Sequence, residues 1–393
     1  MHNFLDKNSN LNIIIAGIIK LFIGVGIARF AYTTLLPSML EENIISLTYS
    51  GVLASINYVG YLSGAIISIF IKSFNTKINL FRFGIVFCIL TTIVLGISTN
   101  EVIWFLSRLI AGFASAMLLV VGAAIVMVKL NYEDKTKAMG LYFTGIGIAL
   151  ASSDLISRYV LINYTWETSW IVLSICGAIL AFYPLYILSI DKEIKNKNEK
   201  HPFDKSLFSP FVLLLIFAYF TEGVGFVIQG TFLPTIIKSI DGMQEYAALS
   251  WLIVGLVGIP SAIIWMRLAF RFGSVNIIII AMSLQIIGIL LPTMFTNFYA
   301  SILSGALYGI TFVGLVALFM NFGGKLAKKN PVVLMGSLTT AYGIGQVLAP
   351  LYAVTLTQKF GNYDYSLYLT AMIVFIGVIA LLFAKRLNSY ILH

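Results

Sequence analysis

The chain has 393 residues, 59% of them hydrophobic and only 10% charged, with a mean hydropathy of +0.95. That balance excludes an ordinary soluble domain. The formal charge of +9 does not point to nucleic acid, because the basic residues sit in short connections between apolar segments, where they meet anionic headgroups.

A bilayer core takes roughly 20 apolar residues per helix. On that measure the sequence predicts six spans at 11–39, 48–71, 82–99, 102–130, 137–160 and 168–189. Six more follow at 208–237, 246–270, 274–293, 297–323, 332–357 and 365–386. The first stretch is too long for a cleavable signal and no small-residue cleavage site follows a short core. Of 25 Lys and Arg residues, 19 fall on one alternating set of connections and ends, 3 on the other and 3 inside spans. The basic set includes Lys72, Lys77 and Arg82, then Lys129, Lys135 and Lys137, then Lys192 to Lys205. The opposite set carries Glu41, Glu42, Glu101 and Glu167, with Arg158, Lys238 and Lys359 as its only bases. By the positive-inside rule both termini and the central linker are expected to be cytoplasmic, in the cell (inner) membrane. The linker, 190–207, contains DKEIKNKNEKHPFDK and reads as solvated. It divides an all-α polytopic protein of twelve transmembrane helices into six-helix halves, 1–189 and 208–393.

The halves are related. The first span holds GVGIARFAYTTLLP (24–37) and the seventh GVGFVIQGTFLP (223–234). Spans four and ten carry RLIAGFAS (108–115) and LSGALYGI (303–310). Two parallel halves with a site near the midplane are a transporter architecture.

These strings, with ASINYVGYLSGA (54–65), SWLIVGLVGIPSAIIWMRLAFRFG (250–273) and LTTAYGIGQVLAP (338–350), resemble the YbfB/YjiJ-type branch of the major facilitator superfamily. The resemblance covers essentially the whole chain and implies a secondary transporter working by alternating access. The superfamily's loop motif after the second span expects Gly, Asp, Arg and Gly, whereas IKSFNTKINLFR (71–82) has neither the Asp nor the Gly. Its counterpart RLAFRFG (267–273) has Phe270 where an Asp is expected, so no conventional Asp–Arg latch is expected. The fifth span, GLYFTGIGIALAS (140–152), lacks the Gly-Pro pair of exporters with an antiporter signature.

Ionisable groups in a bilayer cost roughly 2.5–3.5 kcal/mol each at a helix centre, and they usually face a cavity and a partner. The chain has Lys20 and Arg29 in span one, Arg108 in span four, Asp154 in span five and Glu222 in span seven. At 1.5 Å per residue, Arg29 lies roughly 25 Å and Glu222 roughly 20 Å from the expected cytoplasmic ends of their helices. Both adjoin Gly-Val-Gly runs expected to thin the helix and admit ligand or water; the other reading is an ion pair fixing the bundle. Arg108 sits where the resemblance places a span-four arginine, and it could equally cap Asp154. Asp154, near an outer helix end, could be solvated, and Lys20 could snorkel to the cytoplasmic face. Asn57, Tyr58, Gln229, Thr231, Asn321 and Gln346 are candidates to line the path, against plain interhelical hydrogen bonding. With Arg29 and Arg108 set against Glu222 and Asp154, the cavity is near neutral. An amphipathic or zwitterionic solute is expected, its anionic group docked on Arg29.

The remaining classes fail on their chemistry. GGKL (323–326) is the nearest approach to a phosphate-binding loop and lacks its hydroxyl residue and upstream glycine. His2, His201 and His393 lie outside the spans, and Cys88 and Cys176 stand alone, so no enzyme site, metal, cofactor or disulfide is expected. A buried carboxylic acid keeps its proton until a cation comes beside it. Glu222, approached by Arg29 in one state only, is therefore expected to couple transport to a proton gradient. The reading is a monomeric secondary active transporter of a small organic solute, a symporter or antiporter surrounded by membrane lipid and without nucleic-acid partners. The alternatives are a sensor or receptor without transport and a facilitative uniporter.

Overall fold

The computed structural model describes residues 6–71, 73–130, 135–189, 209–326 and 331–388. The expected linker at 190–207 lies outside the described residues. The first six helices are α1 (Asn10–Glu41), α2 (Leu47–Phe70), α3 (Phe74–Ile97), α4 (Glu101–Lys129), α5 (Lys135–Leu161) and α6 (Trp166–Ile187). The second six are α7 (Pro210–Lys238), α8 (Ala247–Phe272), α9 (Ser274–Met294), α10 (Phe298–Leu326), α11 (Pro331–Phe360) and α12 (Asp364–Asn388). Among the described residues, eleven helices are long and apolar enough to cross a membrane. The fold is an all-α membrane protein, as expected.

Helix ends follow their caps. Asn100 accepts hydrogen bonds from the Val102 and Ile103 amides at 3.0 and 3.2 Å, and Glu101 adds negative charge to the same first turn of α4, where unpaired N–H groups favour both. Pro210 occupies the first turn of α7, behind the Ser209 cap, where its missing N–H costs nothing. One boundary differs from expectation. The stretch read as a loop up to Arg82 is helical from Phe74, because Phe74, Ile78 and Phe81 are buried at i, i+4 and i+7. An inward apolar stripe carries α3 about two turns beyond its hydrophobic span, with Lys77 and Arg82 riding on it.

The chain forms two compact units, residues 1–46 with 56–197, and residues 47–55 with 198–393. In the first, α2 and α4 cross at two glycines. A side chain on Gly112 would run into the Asn57 carbonyl, and one on Gly60 into the Leu109 carbonyl. Small residues let backbones approach in lipid, where no hydrophobic effect draws helices together. Gly112→Val should therefore cost about 3 kcal/mol, read as a clear fall in the melting temperature of purified protein; an unchanged value would contradict this crossing. In the second unit the same device joins α7 to α11, with Gly223 against the Tyr342 carbonyl and Gly345 against that of Phe220.

The expectation that the Gly-Val-Gly runs admit ligand or water is overturned. Gly24 faces the Leu118 side chain, and a Cβ on Gly26 would stand 2.6 Å from the Ala149 carbonyl oxygen. Gly223 and Gly225 are likewise filled by Tyr342 and Val374. These glycines close helix–helix gaps.

Candidate functional site

In the first unit the site is built on an irregularity of α1. Residues Phe22–Phe30 form a π-helix, in which the Ala31 amide reaches back five residues to the Gly26 carbonyl. The wider turn rotates every side chain after it relative to a regular helix, and such segments are frequent at functional sites. Arg29 sits at its end, 7% exposed. Its guanidinium carbon lies 4.1 Å from the ring centroid of Tyr61, 5.2 Å from that of Tyr58 and 5.4 Å from that of Phe30. The Tyr61 hydroxyl is its polar neighbour. Two of its donors, Nε and Nη2, are buried with no acceptor among the described residues.

Arg108 projects from α4 into the same group. It donates to the Ala28 carbonyl at 3.1 Å and lies 4.5 Å from the ring centroid of Tyr32. Tyr32, Tyr58 and Arg29 are its ionisable neighbours. Asn57 donates to the Arg108 backbone carbonyl at 2.9 Å, so it holds α2 to α4 rather than facing a path. The structure thus brings together Arg29, Tyr58, Arg108 and Asn57.

Asp154 stands apart from that group. Arg158, one turn on, binds it with Nε to Oδ2 at 2.6 Å and Nη2 to Oδ1 at 2.8 Å, and Thr34 donates to Oδ1 at 2.7 Å. Asp154 is fully buried, which corrects the reading of a solvated acid at a helix end. Its cation is Arg158, a residue read from sequence as an outer-loop base, rather than Arg108.

Lys20 is a second correction. It does not snorkel: its side chain is 0% exposed and Nζ donates to the Leu118 carbonyl and the Tyr142 hydroxyl. Leu118 lies in a π-helix of α4, Met117–Val121, where the Gly122 amide bonds the Met117 and Leu119 carbonyls and passes over that of Leu118. Gly122 leaves the room, since a Cβ there would meet Nζ at 2.8 Å. The sequence analysis missed Tyr61 and Tyr142. Tyr61 had a signal, three residues after Tyr58 on the same helix face, whereas Tyr142 had none.

In the second unit Glu222 is fully buried and neither carboxyl oxygen has a hydrogen-bond partner. The side chain facing it is Gln285 of α9, whose amide atoms are also unbonded. Gln285 was missed too, though an amide in the middle of an apolar span was its signal. Gln229, two turns beyond Glu222, donates to the Gly288 carbonyl at 3.1 Å and the Ser304 hydroxyl at 3.0 Å. It is a crosslink of α7, α9 and α10. Thr231 is buried, Gln346 is buried with its Oε1 unbonded, and Asn321 is half-buried.

The family described as "Uncharacterised MFS-type transporter YbfB" matches residues 21–382. The chain belongs to this family. It is a major facilitator superfamily transporter, embedded in a membrane, that moves a small-molecule substrate, and not an enzyme. Among its relatives, the uncharacterized MFS-type transporter YceJ of Bacillus subtilis (strain 168) is 24% identical over 66% of this chain and 68% of its own length. The putative transporter AraJ of Escherichia coli (strain K12) is 22% identical over 65% of this chain and 64% of its own length, so this chain spans about two thirds of these relatives. The fold is that of solved transporters. A crystal structure of the nucleoside transporter NupG, a point mutant, has a TM-score of 0.71 at 16% identity, covering 95% of this chain and 99% of that one. A bacterial homologue of the human lysosomal transporter Spinster, inward-facing and occupied, has a TM-score of 0.67 at 12% identity, covering 96% of each chain.

Proposed function

We propose that this transporter is a proton-coupled secondary carrier of a small organic solute, with Glu222 as the proton site. One observation carries the reading: a carboxyl group buried in the middle of α7 with neither oxygen hydrogen-bonded and an amide, not a cation, beside it. An ionised carboxylate in that setting costs several kcal/mol, so in this conformation the acid holds its proton. A rearrangement that brings water or a cation to Glu222 releases it, which ties the proton to alternating access. Asp154 fits this role less well, because Arg158 and Thr34 already neutralise and bond it. Arg29, Tyr58 and Arg108 of the first unit are assigned to substrate handling, as are Gln346 and Thr231 of the second unit taken by itself, with Asn57 and Gln229 as helix crosslinks.

The test begins with an untargeted metabolite comparison between deletion and overexpression strains, followed by uptake of the compounds found into proteoliposomes. Accumulation driven by an imposed pH gradient is expected; identical uptake with and without the gradient removes proton coupling.

The reading includes a monomer in the cell (inner) membrane with both termini and the 190–207 linker cytoplasmic, on the 19-to-3 split of basic residues. A C-terminal GFP fusion is expected to fluoresce and an alkaline phosphatase fusion to be inactive. Phosphatase activity with dark GFP would overturn the orientation.

A further inference from the structure

We infer that the Nε–Nη2 edge of Arg29 is the docking point for an organic oxyanion, a carboxylate or a phosphate, so that the solute is an anion and not a zwitterion. The inference rests on the carrier reading above and sharpens it. Nε–H and the neighbouring Nη2–H lie on one edge of the guanidinium, the parallel pair that takes a carboxylate or phosphate in two hydrogen bonds. Both are buried without an acceptor. Buried donors are nearly always satisfied in folded proteins, and a pair left open on a charged group marks a place where something else bonds. The rings of Tyr58, Tyr61 and Phe30 cover parts of the guanidinium without accepting from that edge.

The local charge agrees. Among the described residues, the charged side chains buried in the first unit are Lys20, Arg29, Arg108 and Asp154. The single acid among them is already bound to Arg158. The near-neutral balance expected from sequence set Glu222 and Asp154 against Arg29 and Arg108, but Asp154 is already taken by Arg158. Arg108, a second buried cation, is a neighbour of Arg29 and adds its charge to the same site. A zwitterion would bring an ammonium group into this surplus of positive charge, whereas an anion is attracted by it.

The test uses full-length protein in lipid nanodiscs and four probes of one shape: benzoate, phenyl phosphate, benzamide and benzylamine. Thermal stabilisation is expected from benzoate or phenyl phosphate and not from the amide or the amine, and the two anions show which oxyanion the edge prefers. Arg29→Lys keeps the charge and loses the fork, and should weaken anion binding about tenfold; Arg29→Gln should remove it. Benzamide or benzylamine acting like benzoate, neither anion binding, or both variants binding like wild type would overturn the site. The strain comparison separates this from the carrier reading. If the compounds moved are neutral or cationic, the anion site falls and the carrier stands. If the anions bind in the Arg29-dependent way but proteoliposomes move no compound, the carrier reading falls and the site stands.

Discussion

Proteoliposomes carrying Glu222→Gln are expected to exchange substrate across the membrane but no longer to concentrate it when a pH gradient is imposed. Glutamine copies the shape and neutrality of the protonated acid, so the packing against Gln285 survives and the helices still rearrange. What is lost is the proton that travels with the cycle. One pH unit is worth about 1.4 kcal/mol, so a carrier moving one proton per solute concentrates it about tenfold per unit. The variant is expected to stop at a ratio of about one under the same gradient. If Glu222→Gln still drives solute uphill on an imposed gradient, the proton site lies elsewhere. Asp154, the other fully buried acid, is then examined by the same measurement.

Arg29→Ala is expected to abolish transport and leave the protein folded. The guanidinium is buried with two unsatisfied donors, so deleting it relieves a desolvation cost while opening a space among Tyr58, Tyr61 and Phe30. These opposing terms are each about 1–3 kcal/mol, and the melting temperature should move by only a few degrees. Loss of a bidentate, charge-assisted contact costs about 3 kcal/mol, roughly a hundredfold in affinity. Uptake at limiting substrate should fall by that factor or more, with the elution profile of the purified protein unchanged. Wild-type uptake by Arg29→Ala would remove the residue from the mechanism.

Much of this protein was legible in one dimension. Twelve spans, six on either side of a charged linker, follow from the length of apolar runs, because a bilayer core demands about 20 such residues whatever the neighbours are. The Gly-Val-Gly strings of spans one and seven were visible in the same way, and both lie within the family match over residues 21–382. The scarcity of buried charge made Arg29, Arg108, Asp154 and Glu222 stand out, since each is expensive to bury. Composition and periodicity therefore determined the class of the protein, its helices and the short roster of residues able to do chemistry.

Which of those residues meet was decided only in three dimensions. Asp154 went to Arg158 and Thr34 rather than to Arg108, Lys20 turned inward to Leu118 and Tyr142, and Glu222 came to face Gln285. The physical reason is rotation. A partner depends on the angle a side chain takes around its helix, and each residue turns that angle by about 100° in a regular helix. The π-turns at Phe22–Phe30 and Met117–Val121 shift it further, with no change in hydrophobic pattern to announce them. Glycine contacts such as Gly26 on Ala149 and Gly122 on Lys20 then set how closely the helices approach, and so which buried group finds a partner and which, like the open edge of Arg29, does not.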